Sequence, residues 1–380
     1  ILERQFDLVL PFMPSDISHS RERRLLIGSL FSAEYSFESA ALFNPSIVAH
    51  PDQSGLSGGS LRIIMSLRAT GEGHVSSLVF RSGRIDANGG ILIDESPDFA
   101  STAEMKENPL YDKTCFAQKL SEMGIRNDFS DWIIGSLPDA FVYNELMEKV
   151  KSYVRGHQPL SQTDKLTGEK IQWLARCNYE AHFDPSVPLS ERVLFPLSPS
   201  EQNGIEDARF VFFTDDDGRK KYYATYTAYD GRVILPQLIE TADFTHFKMI
   251  TLNGSAASNK GMALFPRRIN GHYAMISRQD NENLFLMYSD NIHFWHEAEL
   301  LMKPSYPWEF VQIGNCGSPL ETERGWLLLT HGVGPLRQYS IGAVLLDKDD
   351  PLKVIGRLRT PLISWKQDCR YGYVPNVVYT

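Results

Sequence analysis

Short apolar runs separated by turn residues occupy most of this chain. From residue 60 onward, the runs are rich in β-branched and aromatic residues, and glycine-containing turns divide them. Turns at Gly218, Gly271 and Gly325 each lead into such a run, and residues 61–68 form an earlier one. Runs of this length and composition are typical of β-strands joined in hairpins. The pattern therefore predicts an all-β fold.

The strand pattern also repeats along the chain. Residues 243–247 recur as residues 290–294, with aspartate first and His-Phe at the end of both copies. Repeats of about 40–50 residues that contain several strands each favour a β-propeller, whose inner strands line a central funnel. A β-sandwich is the alternative.

Two stretches depart from the strand pattern. Residues 21–31 have helical spacing, as do residues 141–154, which follow Pro138 and Asp139. We expect these parts to pack on the outside of the sheets or to cover the funnel. The predicted organisation is an N-terminal partly helical segment at 1–42 and a β domain at 43–380, interrupted by a helical insertion at 101–175.

The amino-acid composition indicates the class of protein and excludes some kinds of partner. With 42% hydrophobic and 22% charged residues, the chain is typical of a globular protein. A formal net charge of -9 argues against a nucleic-acid partner, since such binding depends on clustered lysine and arginine. The longest apolar runs fall short of a membrane-spanning helix, so no membrane partner is expected.

The cysteines and the first residues of the chain indicate the cellular compartment of the protein. Four cysteines lie far apart without a C-x-x-C pair, namely Cys115, Cys177, Cys316 and Cys369. This favours free thiols in a reducing compartment, and hence a cytoplasmic protein without structural zinc. The chain begins at Ile1 without an initiator methionine, so we interpret it as part of a longer product.

No histidine, aspartate or glutamate cluster has metal-ligand spacing in the sequence, so no metal is expected. His246 and His293 recur at the same place in the repeat and are interpreted as turn or core residues rather than ligands.

The strongest candidate for chemistry is the run at residues 203–209. Glu206, Asp207 and Arg209 stand here between a turn and the apolar strand 210–213. In an extended strand Glu206 and Asp207 point to opposite faces, so at most one faces a pocket directly. The other is expected to hold Arg209 or the backbone. A purely structural Asp207–Arg209 ion pair is the alternative.

Several further segments stand in an order known from one enzyme family. They are residues 44–46, Arg68 at a strand end, and residues 204–209, 226–231, 263–266, 269–271, 325–333 and 374–378. In these segments the chain resembles glycoside hydrolase family 130, over about residues 43–96 and 200–380. The resemblance implies a five-bladed β-propeller that acts on β-mannosides, as a phosphorylase or, in some branches, as a hydrolase.

The resemblance also implies roles for individual residues. Asp207 matches the catalytic acid, which protonates the glycosidic oxygen through a mannosyl hydroxyl while phosphate attacks the opposite face and yields α-mannose 1-phosphate. The implied phosphate ligands are Lys260, Arg278, His331 and Tyr339. The implied sugar-contacting residues are Asn44, Arg68 and Tyr229. Glu206, Arg209, Asp280 and Tyr373 are further candidate substrate-binding residues.

Three features depart from the family pattern. Tyr373 stands where family members often carry an aspartate near the sugar. The insertion at 101–175 is foreign to the short members. The last strands of a final blade are not found before Thr380.

The implied reaction needs a mannose-containing oligosaccharide and inorganic phosphate as co-substrate, and no other cofactor. A homo-oligomer is compatible with this. An inverting phosphorylase needs one protein acid, whereas an inverting hydrolase needs a second carboxylate to activate water. Asp280, Glu282 and Asp230 are candidates for that base. An inverting β-mannosidase and a glycan-binding propeller without catalysis are therefore the alternatives.

Overall fold

The computed structural model of the protein describes residues 2–14, 18–32, 35–96, 99–106, 110–365 and 376–379. These residues form a mostly β structure with six α-helices and 24 strands. The helices are α1 (Leu2–Val9), α2 (Arg21–Leu30), α3 (Lys113–Glu122), α4 (Asp128–Gly135), α5 (Tyr143–Gly156) and α6 (Gln162–Arg176). Among the described helices, none combines the length and the apolar character that a bilayer crossing requires.

The first ten strands surround the helices in sequence. They are β1 (Ala41–Ala49), β2 (Leu61–Thr70), β3 (Ser76–Ile85), β4 (Ile91–Ile93), β5 (Ser101–Thr102), β6 (Glu104–Lys106), β7 (Leu110–Asp112), β8 (Ala140–Val142), β9 (Tyr179–His182) and β10 (Arg192–Leu194).

The remaining strands follow one another without an intervening α-helix. They are β11 (Gly204–Thr214), β12 (Lys220–Tyr229), β13 (Ile234–Thr241), β14 (His246–Thr251), β15 (Ala263–Leu264), β16 (Tyr273–Ser277), β17 (Leu284–Ser289), β18 (Glu299–Met302), β19 (Gln312–Asn315), β20 (Leu320–Thr322), β21 (Gly325–Val333), β22 (Tyr339–Leu346), β23 (Val354–Arg357) and β24 (Ile363–Ser364).

Antiparallel meanders dominate the sheets of the described part of the chain. The largest sheet has 12 strands and follows the path β1-β2-β3-β11-β12-β13-β14-β9-β6. A four-stranded sheet follows β15-β16-β17-β18, a six-stranded sheet has the path β19-β21-β22-β23, and β7 pairs with β8. Consecutive strands pair as the sequence repeat predicts. Closure of these sheets into five blades stays a prediction.

A group of aromatic side chains fixes β11 against its neighbours. The Phe80 ring of β3 lies 6.0 Å from the Phe210 ring of β11 and 5.8 Å from the Phe247 ring of β14, centroid to centroid. Phe244, just before β14, stacks on Phe210 at 5.5 Å. Such ring pairs contribute about 0.5–1.5 kcal/mol each beyond the area that they bury. This packing holds the strand on which Glu206 and Asp207 are located.

Both helices predicted from the sequence are present, with slightly shifted ends. The prediction over residues 21–31 corresponds to α2, whose first turn is capped by Ser20 Oγ, which accepts from the backbone N–H of Arg23 at 3.3 Å. The prediction over residues 141–154 corresponds to α5. The cap explains where α2 begins, since serine at this position satisfies an otherwise unpaired backbone N–H.

Helices α3 to α6 share a hydrophobic core of their own, which includes Phe116, Phe129 and Phe141. Two side chains of α3 attach this core to the segment after β14. Lys119 Nζ donates to the Leu252 carbonyl at 2.8 Å, and Glu122 Oε1 accepts from the Gly254 N–H at 2.6 Å. The helical segment therefore docks beside the large sheet. The division into residues 1–42 and 43–380 with an insertion at 101–175 stays a prediction.

Three cysteines fall in the described residues, Cys115, Cys177 and Cys316, and no disulfide joins them there. Cys177 is buried, and burial raises the pKa of its thiol to about 12. This thiol therefore stays protonated and unreactive near neutral pH. Cys369 lies outside the described residues.

Candidate active site

A cleft of about 440 Å³ collects residues from both halves of the chain. Its lining consists of Ala40, Ala41, Leu42, Phe43, Asn44, Arg68, Asp207, Lys260, Arg278, Gln312, His331, Arg337, Tyr339, Val377 and Tyr379. A larger cavity of about 950 Å³ lies between the helical segment and the large sheet, but none of the predicted site residues lines it. The smaller cleft is therefore the candidate active site.

A β-bulge in β11 places the two adjacent carboxylates. The pairing of β11 with β12 shifts register between Glu206 and Arg209, and Asp207 has a left-handed backbone with φ of 52°. A bulge breaks the alternation of side chains along a strand and re-aims the residues within it. Strict opposite-face alternation therefore does not hold, because both contact one guanidinium, but only Asp207 of the two lines the cleft, as expected.

That guanidinium belongs to Arg68, at the end of β2. Its Nη2 donates to Glu206 Oε1 at 2.7 Å, and its Nη1 donates to Asp207 Oδ1 at 3.2 Å. Nε donates to Ser76 Oγ at 2.8 Å, and the group lies 4.9 Å from the centroid of the Phe43 ring. With all these contacts, Arg68 is fixed in place and in turn fixes both carboxylates at the cleft.

Arg209 pairs with neither carboxylate, so neither the expected hold on Arg209 nor the alternative, a purely structural Asp207–Arg209 ion pair, is present. It is buried and donates through Nη1 to Asn315 Oδ1 and through Nη2 to the Tyr379 hydroxyl at 3.0 Å. The Tyr379 hydroxyl donates in turn to Asp207 Oδ2 at 3.4 Å. Burial raises the pKa of Tyr379, so the phenol keeps its proton. Arg209 therefore orients the phenol that contacts Asp207.

His331 is a neutral, buried ring. Burial lowers its pKa well below the usual range, and the nearby cations Arg278 and Arg209 lower it further. Its Nδ1 lies 3.1 Å from the Asn315 carbonyl and its Nε2 lies 3.4 Å from Arg278 Nη1. The tautomer that satisfies both contacts carries its proton on Nδ1. His331 thus offers an acceptor at Nε2 in this arrangement, rather than the donor that a phosphate ligand would need.

The backbone beneath His331 must lack a side chain. A Cβ placed on Gly314 would lie 2.4 Å from His331 Nε2 and 3.2 Å from Arg278 Nη1. Glycine at this position of β19 therefore leaves the space that the imidazole and the guanidinium occupy.

Arg278 follows β16 and is 5% exposed. It forms no ion pair with a carboxylate of the described residues, and its Nε has no hydrogen-bond partner among them. In the amide orientation that satisfies both ends of Gln312, the Gln312 side-chain oxygen accepts from Nη1 at 2.6 Å. Burial lowers the pKa of Arg278, yet a guanidinium stays charged near neutral pH. This buried cation lacks a counter-ion within the described part of the chain.

Lys260 and Tyr339 complete the predicted cationic side of the cleft. Lys260 Nζ lies 3.9 Å from Glu206 Oε2, and its side chain is 35% exposed. The Tyr339 ring stacks on His331 with centroids 6.0 Å apart and meets the Tyr379 ring edge-on at 5.6 Å. All four predicted phosphate ligands therefore line one cleft together with Asp207.

Asn44 has the features of an unfilled hydrogen-bonding position. It is 5% exposed, and neither its Oδ1 nor its Nδ2 has a partner among the described residues. Its φ of 54° places it in the left-handed region, within a register irregularity between β1 and β2. Buried amides are normally hydrogen-bonded, so an orphan amide that lines a cleft is suited to a polar ligand.

Comparison with known proteins identifies the family. Residues 178–380 match the family model for glycoside hydrolase family 130, described as beta-1,4-mannooligosaccharide phosphorylase. The chain belongs to glycoside hydrolase family 130. As a family 130 protein it is an enzyme.

Two relatives and one solved structure illustrate this family 130 likeness. A 1,2-beta-oligomannan phosphorylase of Thermoanaerobacter sp. (strain X514) is 33% identical over 222 residues, which are 55% of this chain and 71% of that protein. A beta-1,2-mannobiose phosphorylase of the same strain is 35% identical over 210 residues, 53% of this chain and 64% of that protein. The solved beta-1,2-mannobiose phosphorylase from Listeria innocua is 18% identical, with a TM-score of 0.49, over 90% of this chain and 82% of that one.

The family 130 match does not contain the whole cleft. Asp207, Arg278 and His331 lie within residues 178–380, whereas Asn44 and Arg68 precede them. The pairing of β3 with β11, between Ser76 and Gly204, joins the early strands to the matched region. The early strands therefore supply part of the candidate active site.

Four described residues of the predicted substrate-binding set do not line the cleft. The Tyr229 hydroxyl donates to the Gly231 carbonyl at 3.1 Å, at the C-terminal end of β12. Asp280 is exposed, accepts from the backbone N–H groups of Glu282 and Asn283, and does not pair with Arg278. Tyr373 lies outside the described residues. Glu206 and Arg209 contact lining residues without lining the cleft themselves.

Several residues that line or support the cleft were not predicted from the sequence, among them Gln312, Asn315, Arg337 and Tyr379. Tyr379 directly follows the segment 374–378 that carries part of the family 130 resemblance, and this position was a usable signal. Asn315 and Gln312 are uncharged residues of a short strand with no motif around them. Arg337 lies in an irregular turn, where its φ is 57°.

Proposed function

We propose that this family 130 enzyme cleaves β-mannosides by inverting phosphorolysis and releases α-mannose 1-phosphate, with Asp207 as the proton donor. The observation that carries the proposal is the buried Arg278 guanidinium, which has no carboxylate partner among the described residues and lines the same cleft as Asp207. A buried cation without a counter-ion is costly, so an anionic co-substrate is the partner that its position favours.

The charges of the cleft support phosphate in particular. Its described lining contains four cationic side chains, Arg68, Lys260, Arg278 and Arg337, and one carboxylate, Asp207. Arg68 is engaged by Glu206 and Asp207, and Lys260 Nζ lies 3.9 Å from Glu206 Oε2, which leaves Arg278 and Arg337 without a carboxylate partner among the described residues. An arginine fork binds two phosphate oxygens through parallel N–H bonds, and a lysine adds a point charge.

The same lining is unfavourable for hydrolysis. An inverting hydrolase requires a second carboxylate about 6.5–9.5 Å from the acid, with a water between them. The candidate bases Asp230, Asp280 and Glu282 do not line the cleft. The Asp230 carboxylate accepts from the backbone of Arg232 and Val233, and Asp280 caps its own turn in the same way.

The proposed reaction is a single displacement. A phosphate oxygen attacks the anomeric carbon from the face opposite the leaving sugar, and the bond from that carbon to the glycosidic oxygen breaks. The leaving oxygen takes a proton that originates on Asp207 and passes through a mannosyl hydroxyl. Arg68 and Tyr379 each contact one oxygen of Asp207 and can stabilise the carboxylate that remains. The unpartnered Asn44 amide suits a sugar hydroxyl on the mannosyl side.

A product assay tests this proposal. The protein is incubated with β-1,2- or β-1,4-mannobiose, with phosphate or with sulfate in its place, and the products are followed by ³¹P and ¹H NMR. We expect α-mannose 1-phosphate to form from at least one disaccharide, only with phosphate, and equally after treatment with a chelator. Free mannose released without phosphate would instead identify a β-mannosidase. Saturable sugar binding without turnover in either buffer would identify a glycan-binding protein.

Tyr379→Phe tests the contact to Asp207. Loss of a hydrogen bond to a charged group costs about 1.5–3 kcal/mol, so we expect kcat to fall about tenfold or more while KM for the disaccharide changes little. The ring contacts with His331 and Tyr339 are retained, but the buried Arg209 Nη2 loses its acceptor, so the melting temperature should fall moderately while the protein stays folded. Steady-state kinetics with saturating phosphate measure this effect.

Tyr288→Phe is the matched control for this variant, because Tyr288 is a partly buried tyrosine of β17 that does not line the cleft. It should leave kcat unchanged. If both variants kept the wild-type kcat, Tyr379 would have no part in positioning Asp207.

A further inference from the structure

Strand pairing at one edge of the large sheet assembles three potential metal ligands. His246 of β14 lies directly opposite His182 of β9, and Lys248 lies opposite Glu180. Glu180 and His182 are two residues apart on one strand, so their side chains share a face of the sheet. His246 reaches the same face from the neighbouring strand. The expectation that His246 is only a turn or core residue therefore needs revision.

The two histidines converge on one carboxylate oxygen. Their rings stack with centroids 4.2 Å apart and an interplanar angle of 16°. His246 Nε2 lies 2.9 Å from Glu180 Oε2, and His182 Nε2 lies 3.6 Å from the same oxygen. The three ligand atoms all lie within 4.8 Å of one another. In a tetrahedral zinc site ligand atoms are about 3.3 Å apart, so side-chain rotations alone could close the group around an ion.

One of these atoms lacks a partner. His182 Nε2 is a buried atom with no hydrogen-bond partner among the described residues, since 3.6 Å to Glu180 exceeds hydrogen-bond range. The Glu180 side chain beneath it is 9% exposed, while the His182 and His246 side chains are 39% and 38% exposed. The half-exposed rings place the group at the surface, so rotation of the His182 ring would open its buried Nε2 to an ion that also meets the nearly buried carboxylate.

We propose that Glu180, His182 and His246 form a binding site for a divalent transition-metal ion, with zinc as the best match. Two imidazole nitrogens and one carboxylate oxygen are a donor set that zinc favours, and the exposed side leaves a fourth position to water. None of the three residues lines the candidate active site. The site is therefore structural, and it does not depend on the proposed function.

Two lysines compete with the ion for Glu180. Lys106 Nζ of β6 lies 3.3 Å from Glu180 Oε2, and Lys248 Nζ lies 3.9 Å from Oε1. Their side chains are 54% and 48% exposed, so both can turn towards solvent when a cation binds. Their charges repel a divalent cation and lower its affinity. Removal of either lysine charge should therefore strengthen metal binding.

Metal binding would act on the docking of the helical segment. Strand β6 precedes helices α3 to α6 and β9 follows them, and both belong to the sheet edge that β14 supports. An ion held by β9 and β14 would tie the end of this segment to the sheet. An ion that binds the folded state and not the unfolded chain raises stability by mass action.

Titration of the chelator-treated protein with ZnCl₂ tests the site. We expect calorimetry to give one zinc per chain and the melting temperature to rise with added zinc. With CoCl₂ we expect the visible absorption of a tetrahedral cobalt complex. His246→Ala and Glu180→Gln should each weaken zinc binding at least tenfold. His272→Ala is the matched control, because His272 contacts a single carboxylate, Asp290, at 2.6 Å, and this variant should bind zinc like the wild type.

The lysine variants provide an independent test in case a ligand variant folds poorly. Lys248→Gln and Lys106→Gln retain all three ligands and should bind zinc several-fold more tightly than the wild type. Absence of saturable binding in both the wild type and Lys248→Gln would overturn the proposal. Wild-type affinity in a folded His246→Ala variant would also overturn it, because the zinc would then bind elsewhere.

Discussion

Asp207→Asn is expected to lower kcat for phosphorolysis of a β-mannobiose by about 10²–10⁴-fold, the range typical of a lost general acid. An amide at this position keeps one acceptor oxygen for Arg68, and its NH2 group can donate to the Tyr379 oxygen, but it cannot supply an acidic proton to the leaving oxygen. KM for the disaccharide should change little, because the side chain has the same size and keeps its neighbours. Steady-state rates of α-mannose 1-phosphate formation, with phosphate saturating, measure the effect.

Asp217→Asn is the control for this variant. Asp217 is an exposed carboxylate at the tip of the β11–β12 hairpin, where it pairs with Arg219 at 2.5 Å. Its replacement should leave kcat unchanged. An Asp207→Asn enzyme with wild-type kcat would remove Asp207 as the proton donor, and the reaction would then need an acid from elsewhere in the chain.

Arg278→Met separates the binding of phosphate from the stability of the fold. Truncation of one partner of a buried charge pair costs about 2–5 kcal/mol, so kcat/KM for phosphate should fall at least about 30-fold. Without phosphate, this variant should melt no lower than the wild type, because replacing a buried charge with an apolar side chain is often neutral or stabilising. Kinetics at varied phosphate and thermal melting of the ligand-free protein measure the two effects.

Two further variants test whether the loss of phosphate binding comes from the charge and the geometry of the Arg278 guanidinium. Arg278→Lys keeps the charge and loses the fork, so it should recover part of the phosphate affinity. Arg267→Met removes a partly exposed arginine that pairs with Glu321 at 2.8 Å, and it should leave KM for phosphate unchanged. A folded Arg278→Met enzyme with wild-type KM for phosphate would contradict the proposed phosphate site.

The resemblance to family 130 implied the cationic side of the cleft, and three of its residues stand at strand ends. Lys260 precedes β15, Arg278 follows β16 and Tyr339 begins β22. Ends of consecutive antiparallel strands recur at the same edge of their sheets, so these side chains can meet although they are distant in sequence. The hairpins and both helices could be predicted from the sequence because each depends on a local pattern of residues.

Features that depend on pairing between distant segments could not be predicted from the sequence. The bulge at Asp207 is a property of the register between β11 and β12, and it breaks the strict alternation expected of Glu206 and Asp207. The position of Tyr379 depends on its contact with Arg209, 170 residues earlier in the chain. Asp280 was predicted in the cleft because it is close to Arg278 in sequence, but a sharp turn directs its carboxylate to its own backbone.

The guanidinium of Arg68 has a consequence for truncated forms of the protein. Arg68 and its support Ser76 come from β2 and β3, ahead of the stretch at 178–380 that matches the family model. A recombinant product trimmed to that stretch would keep Asp207 and lose the cation that holds it. The smallest fragment able to catalyse the proposed reaction is therefore longer than residues 178–380, and it must include the early strands.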